Sequence, residues 1–195
     1  MFRAAVASAL YLALMATIYA LHATYFAVDV VLYSALLDVV LATVVSTVLL
    51  TALTFFRIFS GFEKFQLTII WILLGYAAAI SGPTIIDRSL SFYILEKLEQ
   101  RGGGIQLARF EDVFTKEFVK EYRVIDARLT EQMASGTVVI VDGCVRLTPR
   151  GERIASFSRW FRQTLLPRKR LLRGQYSDDL VEPFRRSASY VDYGC

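Results

Sequence analysis

Asp38 is the first residue of this chain whose setting demands a chemical explanation. It is the single charge between Val30 and Phe56. A carboxylate in such an apolar run costs roughly 2.5–3.5 kcal/mol to insert into lipid, so it must face protein or water and find a partner. Ser34 precedes it by one helical turn, and Tyr19 and His22 on the preceding apolar run are the polar side chains placed to meet it. The chemistry open to this group is a proton or cation site, or a buried contact to another subunit. The plainer alternative is a protonated Asp38 hydrogen-bonded inside a bundle, with His22 an interfacial residue near a helix end.

A second cluster lies far along the chain. Between Arg146 and Arg173 there are nine Lys and Arg against Glu152 alone. Ile154, Phe157, Phe161 and Leu165 recur there at helical spacing beside Trp160. An apolar aromatic face edged by arginines describes a helix lying among lipid headgroups. Arg159, Trp160, Arg162, Arg168, Lys169, Arg170 and Arg173 are therefore the candidate membrane-surface or anionic-lipid contacts, at about 1 kcal/mol per cation near the surface. The alternative is that Ile154, Phe157 and Phe161 complete a soluble core and the arginines are solvated.

Other chemistry finds no support. There is no phosphate-cradling loop followed by Lys-Ser/Thr and no HExxH, and Gly102-Gly103-Gly104 lacks the spacing of a nucleotide loop. One histidine inside an apolar run assembles no nucleophile, base and orienter, so the reading is non-enzymatic, with no cofactor and no metal. Cys144 and Cys195 are too few and too scattered for a disulfide framework and are expected to be free thiols.

These residues sit on elements that the charge distribution defines. Residues 1–86 hold six charged side chains (Arg3, Asp29, Asp38, Arg57, Glu63, Lys64), and residues 87–195 hold the other 34. A split that abrupt implies two solvents, lipid and water. Three apolar runs, about 4–28, 30–56 and 65–86, are each long enough to cross a ~30 Å hydrocarbon layer, and in lipid they must be helical. The first exceeds the length of a signal-peptide core, so it reads as an uncleaved span. Ala9, Ala13, Ala16 and Ala20 form a smooth stripe on the first helix, and Gly75, Ala79 and Gly82 do the same on the third; small residues permit close helix approach. Thr43, Thr47, Thr51 and Thr54 share a face of the second, opposite Asp38. Short-loop charge (Arg57 and Lys64 against Asp29) favours a cytoplasmic N-terminus. The basic tail with its unpaired cysteines favours a cytoplasmic C-terminus, and that placement at the plasma (inner) membrane is the one adopted.

The tail reads as a helix over 89–100, a break at Arg101–Gly104, a short segment at 110–114, a helix over about 116–134, strands at 137–141 and 144–148 around an Asp142–Gly143 turn, and a helix opened by Pro149. Residues 174–195 are expected to be extended or disordered. The order of three helices and a two-stranded wing resembles the winged helix-turn-helix superfamily. The resemblance rests on Arg128-Leu-Thr-Glu-Gln-Met-Ala-Ser-Gly136, Asp142-Gly143 and Leu147-Thr148-Pro-Arg-Gly151-Glu-Arg-Ile-Ala155, over about residues 88–157. It implies a small α+β domain over 87–158 and, in that superfamily, a third helix that enters DNA. Segment 116–135 carries no net charge, however, which argues against phosphate binding. The sequence thus suggests three transmembrane helices plus a winged-helix-like domain, acting as a membrane adaptor or accessory subunit. Its partners would be lipid and another membrane protein or a second copy. A membrane-tethered DNA-binding regulator and an ion-coupled transporter subunit built on Asp38 are the alternatives.

Overall fold

The computed structural model describes residues 2–186. The chain divides into two compact units, Met1–Arg123 and Val124–Cys195. Three helices of the first unit are long and apolar enough to cross a membrane: α1 (Phe2–Tyr25), α2 (Val31–Ala52) and α3 (Gly61–Arg88). Their limits differ from the charge-based ones. The second ends at Ala52 because the chain turns into a short 3-10 segment at Thr54–Phe56. The third starts at Gly61 because Ser60 and Glu63 form a capping box, Ser60 N–H donating to Glu63 Oε2 at 2.7 Å.

α2 packs against both α1 and α3, and that central position explains why Asp38, Thr43 and Ser46 are all buried. Thr hydroxyls of α2 bond both across to a neighbouring helix and back to their own. Thr47 meets Thr68 of α3 at 3.2 Å, Thr51 bonds back to its own helix, and Thr54 lies beyond the helix end. The alanine stripe of α1, Ala9, Ala13, Ala16 and Ala20, is exposed rather than packed inside the bundle. The buried side is Ala7 and Tyr11. Tyr11 turns that side inward because its ring stacks on Trp71 at 5.3 Å and its hydroxyl donates to the Trp71 carbonyl at 2.7 Å. On α3, Gly75 and Ala79 do lie inward. A Cβ at Gly75 would stand 2.3 Å from Tyr11 Oη and 2.5 Å from Val39 Cγ1.

α3 is interrupted by a π turn at Ile80–Thr84 that contains Pro83. Proline has no N–H to give to the carbonyl four residues back. The Thr84 hydroxyl supplies the missing donor, reaching the Ala79 carbonyl at 2.9 Å.

After α3 come α4 (Leu90–Gln100) and α5 (residues 110–121, with a π turn at Val113–Phe118). The helix expected over 116–134 is in fact two. The backbone of Arg123 takes a left-handed conformation (φ 44°), which ends α5 before α6 (Val124–Ala134) begins.

In the second unit, β1 (Val138–Val141) pairs antiparallel with β2 (Cys144–Leu147), in register Val138 to Leu147 and Val141 to Cys144. Asp142 and Gly143 both have positive φ, as the tight hairpin turn requires. α7 (Pro149–Thr164) follows, capped by Thr148, whose hydroxyl accepts from Gly151 N–H. The helix ends there because Pro167 cannot continue it. A second hairpin, β3 (Arg170–Leu172) with β4 (Gln175–Ser177), turns at Arg173–Gly174. The basic stretch is therefore a helix followed by a hairpin. Residues 174–186 are structured too, since Arg162 Nε donates to the Val181 carbonyl and Gln163 bonds Glu182. The remainder of the expected tail, 187–195, lies outside the described residues. Cys144 is buried and disulfide-bonded, which corrects the free-thiol expectation; the chain's other cysteine, Cys195, lies outside the described residues.

Candidate functional site

Three places collect the chemistry-bearing side chains. The first is inside the bundle. His22, three residues before the end of α1, places Nδ1 2.6 Å from Asp38 Oδ1. Asp38 is 2% exposed and His22 20%, so the pair runs from a partly open helix end into the interior. The two groups are hydrogen-bonded, with the imidazole tautomer setting which one donates. The other carboxylate oxygen, Oδ2, is buried with no hydrogen-bond partner. Ser34 is half-buried and does not bond the carboxylate. Tyr19 and Asp38 instead line a cavity of about 130 Å³ together with Met15, Val39, Ala79 and Pro83.

The second place, which the sequence did not signal, joins α4 to α5. Lys97 is 5% exposed and its Nζ lies 2.7 Å from both Glu117 and Glu121. Arg101 reaches Glu117 at 3.0 Å, and the Tyr93 hydroxyl donates to Glu121 at 2.9 Å. Hydrogen bonds donated to Glu117 and then to Glu121 raise the Lys97 pKa above the usual lysine value. Lys97 and Arg101 hold Glu117 below the carboxylate range, and Lys97 and Tyr93 do the same to Glu121. Burial, followed by the adjacent Glu121, pushes Tyr93 up to about 12. The ring of Tyr93 packs on Phe118 at 4.6 Å within a run of aromatics, Phe110, Phe114, Phe118 and Tyr122, along α5. On sequence, Lys97 looks like any surface lysine of an amphipathic helix; only its distance from two glutamates 20 or more residues on reveals its role.

Glu117 and Glu121 lie on α5 and are occupied by Lys97 and Arg101. α6 carries Asp126, Arg128 and Glu131, with Arg128 bonded to Glu131 at 2.9 Å. Its charge still opposes phosphate.

The third place is the basic stretch. Ile154, Phe157 and Trp160 of α7, and Leu165 just beyond its end, are about half exposed. Arg159 is exposed beside them, whereas Arg162 is drawn to Val181 and stacks over Phe184 at 5.9 Å. Arg168 and Lys169 precede β3 and are exposed, Arg170 lies in β3 and is half-buried, and Arg173 is exposed in the hairpin turn. The β1–β2 hairpin also exposes Val139, Ile140, Val145 and Leu147. No protein-family model, curated protein or solved structure matches the chain.

Proposed function

We propose that this protein is a non-enzymatic integral membrane adaptor or accessory subunit. Its bundle packs with a membrane-protein partner or a second copy, and its cytoplasmic C-terminal region is a winged-helix-like interaction domain that rests on anionic lipid. The observation that carries this reading is the exposed α7 face. Phe157 and Trp160 stand about half exposed next to Arg159, on a helix followed by Arg168 and Lys169. Large unpartnered aromatics beside cations mark a contact surface. The order α4, α5, α6, β1–β2, α7 supports the winged-helix likeness, and the acids of α6 argue for a role other than DNA binding.

The test uses the full-length chain in vesicles, comparing native protein with Trp160→Phe so that the difference isolates Trp160 from Trp71. Headgroup-level quenchers should reduce Trp160 emission when the vesicles contain phosphatidylserine, less so at high salt. Trp160 emission indifferent to lipid charge would defeat the lipid contact, and purification in native lipid discs without any second membrane protein or second copy would defeat the adaptor role.

A second topology is favoured by one observation. The Cys144 disulfide supports an oxidising compartment, and short-loop charges agree with a tail outside the cytoplasm. An impermeant reductant followed by an impermeant maleimide, applied to intact cells, separates the two: labelling of Cys144 places the C-terminal unit outside, and labelling only after permeabilisation places it inside.

A further inference from the structure

We propose that His22 and Asp38 form a proton-binding dyad that exchanges its proton with water admitted to the cavity beside them. The pair has two states that differ by one proton. A neutral imidazole donating to the carboxylate carries one negative charge, and an imidazolium–carboxylate pair carries none. The 2.6 Å contact holds Nδ1 and Oδ1 together in both. Oδ2 is buried without a donor, and a buried polar atom in that condition calls for one. The adjoining cavity of about 130 Å³, with Asp38 on its wall, has room for several waters to act as that donor.

The rest of the wall narrows the ligand to a proton. α1 contributes Met15, Ala16 and Tyr19, α2 contributes Ala35 and Val39, and α3 contributes Ala78, Ala79 and Pro83. Tyr19 is thus the one other titratable group on the wall, and α3 brings no charge to it. A hard metal cation needs several oxygen ligands, and this wall offers one carboxylate and one phenol. A proton needs only the dyad and a path for water. The π turn at Ile80–Thr84 shapes that path from the α3 side, and such turns recur at functional sites.

The chain has a single histidine, so the imidazole nitrogen signals of the full-length protein in lipid nanodiscs need no assignment. The carboxyl band of Asp38 is isolated by infrared difference against Asp38→Asn. In the native chain, followed from about pH 5 to 9, the imidazole nitrogens and that band should change together. Asp38→Asn should remove the band and displace the imidazole midpoint. Ala16→Leu, which fills the cavity from its exposed edge, should slow exchange of the imidazole proton with deuterated solvent severalfold. An imidazole midpoint unchanged in Asp38→Asn, or no change in either signal across that range, overturns the dyad. Exchange unaffected in Ala16→Leu overturns the route through the cavity.

Discussion

Gly151→Ala should destabilise the join between the β1–β2 hairpin and α7, although the same exchange stabilises most helices. In an exposed helix interior, alanine is favoured over glycine by about 1 kcal/mol. Gly151, however, is buried, and a Cβ on it would lie 2.1 Å from the Thr137 carbonyl oxygen and 2.9 Å from Leu147 Cδ2. Leucine can rotate away. The carbonyl cannot retreat without loss, because it accepts Thr148 N–H at 3.1 Å and the Thr148 hydroxyl at 3.2 Å. That same hydroxyl accepts from Gly151 N–H and so caps α7. Overpacking costs about 1–3 kcal/mol, and a helix cap contributes about 1 kcal/mol more. The net effect, after the propensity gain, is a loss of about 2 kcal/mol. Hydrogen exchange of the β1–β2 amides in the full-length chain reads this directly. Their exchange should accelerate about 30-fold, since each 1.4 kcal/mol is tenfold, while the amides of α2 keep their native rates. Gly61→Ala, where no atom lies within 4 Å of the added carbon, serves as the control and should leave the hairpin unchanged. Hairpin amides in Gly151→Ala that exchange at the native rate or slower would refute the reasoning.

In the bundle, Tyr11→Phe should lower stability in detergent titrations by about 1 kcal/mol through loss of the bond to the Trp71 carbonyl. Gly75→Ala should cost more, because its Cβ meets both Tyr11 and Val39; equal costs would show that the helices simply part. Lys97→Met should leave Glu117 and Glu121 without their shared cation and loosen α4 from α5, seen as faster exchange of α4 amides. The pH dependence follows in sign. Glu117 and Glu121 have lowered pKa values, so their contribution is present above the ordinary carboxylate range and is lost as pH falls through the lowered values. Lys97 and Tyr93 have raised values, so theirs is present below the ordinary lysine and tyrosine values and is lost as pH rises, for Tyr93 between about 10 and about 12. Amide protection in α4 should therefore fall at both ends, and in Lys97→Met the acid limb should flatten. A pH profile of α4 protection identical in the two proteins would remove the network from the account.

Much of the architecture was legible because it depends on composition along the chain. A helix that crosses a membrane must be long and apolar wherever its neighbours lie, so three runs poor in charge announce three helices able to do so. The Asp142–Gly143 turn and the Thr148–Pro149 helix start are equally local, being set by backbone conformations that few residues adopt. The isolated Asp38 also announced itself, since a carboxylate among apolar residues needs a partner, and His22 was among the few side chains within reach. What the sequence left undecided is which faces meet. Tyr11 rather than the alanine stripe turns inward because it stacks on a tryptophan 60 residues away. The 116–134 run splits because Arg123 adopts a left-handed backbone, a state a side chain of that kind does not advertise. Lys97 becomes a buried cation because two glutamates arrive from α5. Each of these is a choice among alternatives that are nearly equal locally, settled by contacts between segments distant in sequence. Local pattern thus determined which segments become helices and strands; tertiary packing decided which side chains of those segments have partners, because pairing energy exists only once the distant group is in place.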